Sequence, residues 1–136
     1  MTDTNTPLPL WLWAIIAIEI AVPTYFAIAS LIDPTIWGAE ELGIFGELYI
    51  IRNLAMAAGV ALAALWLRSQ AAILATIAAR YLTDFVDITA AFARGPDAET
   101  TALLAAFTVI LLIIPAPGLV WLVRQTRPED PYERLR

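Results

Sequence analysis

Arg80, Asp84 and Asp87 stand at i, i+4 and i+7 in one long apolar segment, a spacing that puts all three on one stripe of a helix. A guanidinium beside two carboxyls is a set for acid–base chemistry. One carboxylic acid donates a proton, an ionised carboxylate accepts one, and the arginine holds the two in different protonation states. The missing residue types bound the chemistry as firmly. The chain has no Cys, no His and no Lys, which excludes thiol relays and cysteine metal sites, imidazole bases and Ser-His-Asp triads, and lysine Schiff bases. What remains is carboxylates, arginines, hydroxyls and amides. These suit epoxide opening, cyclisation, isomerisation or hydration of a lipophilic substrate, with neither metal nor cofactor called for. Asp84 and Asp87 are the candidate acid and base with Arg80 between them, and Glu19 is the reserve acid. Asn53 or Tyr49 would position water, and Arg52, Tyr81 and Tyr25 complete the candidate substrate-binding set.

The elements that must hold these side chains are membrane spans. Of 136 residues, 60% are hydrophobic and 15% charged, far from a soluble composition. A bilayer crossing takes about 20 residues at 1.5 Å each. Four segments qualify: 8–31, 47–67, 70–92 and 100–123. With two tight turns and one longer loop, 32–46, they predict a single all-α domain over 1–136, an up-down-up-down four-helix bundle in the membrane. Pro23, Pro115 and Pro117 should kink or break their helices. No basic residue precedes the first span and Glu19 interrupts it, so that segment reads as a retained span rather than a cleaved signal peptide.

Arginine placement orients the bundle. Arg68 falls in the turn between the second and third spans, and Arg124, Arg127, Arg134 and Arg136 fall in the tail. The opposite side holds Arg94 among Asp33, Glu40, Glu41, Asp97 and Glu99. Both termini are therefore expected in the cytoplasm of a multi-pass cell-membrane protein. Trp11, Trp13, Trp66 and Trp121 fall at that same interface, as an aromatic belt does. A net charge of -5 argues against nucleic acid as a partner. Small residues at Ala55, Gly59 and Ala63 and at Ala71, Ala75 and Ala79 recur every four positions. They would admit close approach of a second copy or a membrane partner, or simply make alanine-rich helices.

Six ionisable residues lie within the spans: Glu19, Glu47, Arg52, Arg80, Asp84 and Asp87. A charge at mid-bilayer costs about 2.5–3.5 kcal/mol on insertion scales, so these should face one another or a wet cavity, with Glu47 at the outer rim able to escape. Helical rise puts Arg80 about 18 Å below the outer face and Glu19 about 17 Å from the cytoplasmic one, so the two are level. Arg52, Asp84 and Asp87 lie about 8–12 Å below the outer face. The expected pairs are Glu19 with Arg80, and Arg52 with Asp84 or Asp87. Counting Glu47 at the outer rim, four acids face two arginines. That formal -2 calls for a protonated carboxyl, for water, or for a cationic ligand.

Arg52 with Gly59 downstream, the Arg68-Ser69 turn and the run Arg80-x3-Asp84-x2-Asp87 resemble the DoxX-like small four-span membrane proteins over about residues 45–95. The resemblance implies a four-helix membrane bundle with a polar core. Some members look like membrane partners of oxidoreductase systems, a role that the absence of cysteine does not fit. The Asp-Arg-Asp set with Tyr and Asn is similar in its chemistry to soluble epoxide hydrolases of the limonene-epoxide type, on an unrelated fold. Three functions follow from these residues: a membrane enzyme acting on a lipophilic molecule, a non-catalytic membrane subunit or small-molecule binding protein, and a proton or ion path. The path reading lacks acids in the cytoplasmic half of the last three spans.

The orientation is checked by cysteine labelling. Gly38→Cys should react with an impermeant reagent added outside and Glu129→Cys should not; the reverse pattern would invert the topology.

Overall fold

The computed structural model of the chain describes residues 7–33 and 43–126. Most of the expected outer loop, 34–42, and the tail with Arg127, Arg134 and Arg136 lie outside the described residues. Every regular element among the described residues is helical. Helix α1 is Leu10–Ile32, α2 is Ile44–Ala61 and α3 is Gln70–Ala93; α4, Ala98–Thr108, leads into α5, Ala116–Thr126. Both α2 and α4 end in π-helical turns, Leu62–Leu67 and Val109–Ile113. Three helical stretches are long and apolar enough to cross a membrane: Leu10–Ile32, Gly46–Leu67 and Ala98–Thr126. Helix α3 is as long, at 24 residues, but it carries Arg80, Asp84 and Asp87 on its stripe and is not counted among the three.

Local sequence sets the helix ends. Arg68 closes the second helix in the left-handed region, φ 48°. Ser69 then caps α3, its hydroxyl accepting from the Ala72 N–H at 3.3 Å, which satisfies an end donor. Gly95 takes φ 68° after α3, a conformation glycine adopts without steric penalty. Asp97 caps α4, accepting from the Thr100 N–H at 2.7 Å. That bond holds the Asp97 carboxyl below the usual aspartate range.

The prolines act differently from one another. Pro115 has no N–H for the Leu111 carbonyl. The chain passes through a π turn, in which the Ile114 N–H reaches the Val109 carbonyl at 3.0 Å, and α5 restarts at Ala116. Pro117 sits in the first turn of α5, where its missing N–H removes no helical bond. The break expected at Pro115 is present, whereas Pro117 lies inside α5 and breaks nothing. Pro23, by contrast, does not break its helix: α1 runs through it, because one missing N–H in 23 residues leaves the flanking turns bonded. The bond that is missing is the one to the Glu19 carbonyl, four residues back.

The helices share a buried apolar core of Leu12, Ile16, Val60, Ile73, Ile77 and Leu122, with Ala63 and Ala64 beside them. The Trp11 and Trp121 rings meet edge to face at 6.0 Å, and Phe26 meets Phe107 in the same way at 5.2 Å. Large apolar side chains such as Leu10, Ile51, Leu65, Trp66, Leu82 and Val120 are exposed, a surface that suits lipid. Ala71, Ala75 and Ala79 are exposed as well, so that small-residue stripe is not used within the chain.

Gly118 on α5 is packed tightly against side chains of α1. A Cβ built there would lie 3.1 Å from both Leu12 Cδ1 and Ile15 Cδ1. A Cβ at Gly59 would meet only Thr76 Cγ2 at 3.8 Å, an ordinary contact. Gly118→Leu should therefore lower stability by about 1–3 kcal/mol through overpacking. Gly59→Ala should be neutral or gain up to about 1 kcal/mol of helix propensity. Unfolding of both variants in detergent measures the contrast.

Candidate functional site

Arg80 is the centre of the polar cluster. It is 2% exposed, as is Glu19, and its guanidinium reaches three helices. Nε lies 3.1 Å from Glu19 Oε2 on α1, an ion-pair contact off the hydrogen-bond line. Nη1 donates to Asn53 Oδ1 on α2 at 3.2 Å. Nη2 donates to Asp84 Oδ1 at 3.4 Å and lies 3.3 Å from Oδ2, one turn along α3. Asn53 is turned by donating its own amide to the Tyr49 carbonyl at 2.8 Å, which presents its oxygen to Arg80.

A second pair stands further along α3. Arg52 binds Asp87 through Nη2 to Oδ2 and through Nη1 to Oδ1 at 3.5 Å, and its guanidinium lies 5.0 Å from the centre of the Tyr49 ring. This pair is wetter, with side chains 35% and 42% exposed against 9% for Asp84. Arg52 Nε is buried without a hydrogen-bond partner.

Both groups open on one cavity of about 880 Å³. Its polar wall is Asn53, Arg80, Asp84 and Asp87, with Tyr49 and Arg52. Its apolar wall is built by Val22, Pro23 and Phe26 of α1, Ile88 of α3, and Leu104 and Phe107 of α4. That size and lining suit a small lipophilic molecule held by a few polar groups.

The pairs expected from depth are formed: Glu19 with Arg80, and Arg52 with Asp87. Two expectations need correction, the place of Arg80 and the charge count. Arg80 does not lie between Asp84 and Asp87; it joins Asp84 to Glu19, because Asp84 is one turn away whereas Asp87, almost two turns away, is already bound by Arg52. Glu47 is exposed in the first turn of α2 and does not line the cavity. The buried count is thus three acids, Glu19, Asp84 and Asp87, against Arg52 and Arg80, and the formal -2 falls to -1. Arg94 lies in the turn after α3, as read from sequence, and also lines the cavity, which brings the sum to zero. Its signal was present in the numbering, since Arg80, Asp87 and Arg94 repeat every seven residues along one helix face.

Of the remaining candidates, Glu19 sits behind Arg80 and off the cavity wall. Tyr25 is exposed and packs on Phe26 at 5.3 Å, and Tyr81 does not line the cavity either. Ser30 does line it, with its hydroxyl donating to the Phe26 carbonyl at 2.6 Å.

In comparisons with known proteins, no family model, no curated protein and no solved structure matches the chain.

Removing one partner from a buried charge network leaves the others uncompensated, at a cost of about 3–5 kcal/mol. Arg80→Ala should destabilise the protein by that order, and adding Glu19→Gln should recover part of the loss. Arg52→Ala, in the wetter pair, should cost about 1 kcal/mol or less. Melting in detergent ranks them; an equal loss for both arginines would contradict the assignment of Arg80 as the centre.

Proposed function

We propose that this chain is a four-span membrane protein whose cavity takes a lipophilic small molecule and works on it by acid–base chemistry. The observation that carries the reading is that Asp84 and Asp87, one turn apart on α3, both face one cavity, opposite an apolar wall, while separate arginines hold them. On this reading α3 crosses the membrane with its charged stripe turned inward, making the fourth span. The Trp11–Trp121 and Phe26–Phe107 contacts support alternating helix directions, and the placement of Arg68 and Arg124 supports cytoplasmic termini. The resemblance to DoxX-like proteins agrees with this architecture and adds no activity.

In the proposed chemistry, the protonated member of the Asp84 and Asp87 couple gives its proton to a substrate oxygen as a C–O bond breaks. The ionised member takes a proton from water, for hydrolysis, or from a substrate hydroxyl, for cyclisation. The new C–O bond forms at the carbon left behind, and one proton passes back between the two carboxyls to restore the start. Arg80, held in turn by Glu19 and Asn53, fixes Asp84; Arg52 fixes Asp87. Glu19 has no route to substrate except through Arg80, which makes it a support rather than a reagent.

A second reading rests on a specific observation: each carboxyl of the cluster has an arginine partner. On that reading the network only shapes a binding cavity in a non-catalytic subunit or binding protein, and the exposed alanine stripe on α3 docks another membrane helix.

Two variants separate the readings. Mass spectrometry of molecules that copurify in detergent, followed by a panel of isoprenoid epoxides, defines the turnover assay. Asp84→Asn and Asp87→Asn keep size and much of the hydrogen bonding. The enzyme reading expects turnover per folded molecule to fall about 100-fold or more, beyond any loss of stability that comes from weakening the Arg80 or Arg52 ion pair. Unchanged turnover per folded molecule would retire the couple as acid and base.

A further inference from the structure

The cavity is not electrostatically even along its length. At its deep end Arg80 has three partners on three helices. Towards the end of α3 the balance reverses. Arg94 stands seven residues beyond Asp87, about 10 Å along the same helix face, and no acid among the described residues is paired with it. Arg52 gives its two terminal nitrogens to Asp87, while its buried Nε has no acceptor. The outer part of the wall thus offers Arg94, which has no acid partner among the described residues, beside the part-exposed Arg52. Phe26, Leu104 and Phe107 supply apolar surface in the same cavity.

Resting on the cavity reading above, we propose that the ligand is a single-chain lipophile with a carboxylate head, its head between Arg52 and Arg94 and its tail against the Phe26–Phe107 pair. A planar carboxylate matches a guanidinium and accepts two or more N–H bonds at once, so it would answer the unpaired Arg94, with the charge of Arg52 beside it. One negative charge meets one unpaired positive charge; a phosphate monoester carries about -1.5 to -2 at neutral pH and would overshoot. The same geometry disfavours a cationic head. An ammonium would meet two arginines at the outer wall, and the carboxylates it could use are already bound to arginine. The head would sit beside Asp87, leaving the tail or a functional group on it to face Asp84.

The test uses the full chain in nanodiscs of neutral phosphatidylcholine, titrated with dodecanoate, dodecanol and dodecylamine at a pH where the acid and the amine are both charged. Empty nanodiscs correct for partition into lipid, and the rise in melting temperature reads binding. Dodecanoate should bind at least about tenfold more tightly than dodecanol, the worth of a charge-assisted contact, and dodecylamine should bind most weakly. Arg94→Gln should remove most of the preference for dodecanoate and leave dodecanol unchanged. Arg94 is exposed at the end of α3, so the variant should fold, and Arg94→Lys should keep much of the preference. Equal binding of acid and alcohol, tightest binding of the amine, or an Arg94→Gln protein that still prefers dodecanoate would each overturn the head-group inference while leaving a lipophile-binding cavity. Binding of none of the three would remove the cavity reading and this inference with it.

Discussion

A guanidinium in a dry, apolar setting must be matched by charge and hydrogen bonds within reach of its own side chain, and Arg80 imposes that demand on the rest of this structure. Its partners come from α1, α2 and α3, so meeting it fixes the axial register of three helices at once. In lipid this matters more than in water. Apolar side chains gain little by leaving lipid for a helix interface, and association rests on close packing and on polar contacts. The core of Leu12, Val60, Ile73 and Leu122 supplies shape, and the approach of α5 to α1 at Gly118 supplies closeness. Neither of these would by itself distinguish one register from a neighbouring one as sharply as a buried charge does.

The stripe on α3 then grades from dry to wet. Arg80 is almost fully enclosed, Asp84 nearly so, Asp87 half open and Arg94 exposed. Electrostatic interaction weakens along that gradient as the effective dielectric rises, so the same kind of ion pair does two jobs. The inner trio of Glu19, Arg80 and Asp84 is a structural fixture with one face on the cavity. The outer pair of Arg52 and Asp87 is loose enough for solvent or a ligand head to compete with it. Pro23 sits at the boundary. It lines the cavity and, by withholding a donor from the Glu19 carbonyl, leaves an extra acceptor near the buried acid.

Much of this was legible in the sequence because depth along a helix is a matter of counting. A rise of 1.5 Å per residue was enough to pair Glu19 with Arg80 and to set Arg52 level with Asp87. The α-helical repeat put Arg80, Asp84 and Asp87 on one face. Counting does not say which helix stands beside which, or how far a side chain bends. Arg80 turned to Glu19 rather than to Asp87, and Glu47, which shares α2 with Arg52, faces away from the cluster. Arg94 does fall in the turn after α3, but its spacing from Asp87 continues the stripe and brings it to the cavity wall. The π turn before Pro115 follows from a missing donor, but whether the helix kinks, bulges or stops depends on neighbours that no single segment specifies. Pro23 had the same local signal and a different outcome.

The corrected charge balance also changes what the cavity asks of its occupant. With Glu47 inside, the wall would be short of positive charge and would draw cations or protons. With Glu47 outside and Arg94 on the wall, the charges balance and the carboxylates are bound by arginines already in place, while Arg94, near the wet end, has no acid partner among the described residues. A site of this kind holds its carboxylates in fixed directions before any ligand enters, because rotating Asp84 or Asp87 means breaking an ion pair. Fixed dipoles and charges need no reorganisation when a substrate oxygen gains or loses a proton, and that is the condition under which a low-dielectric site favours chemistry over mere binding. The network that sets helix register is therefore the same network that would orient the reacting groups. Stability and proposed activity meet in Arg80: the register it fixes is what holds Asp84 against the cavity.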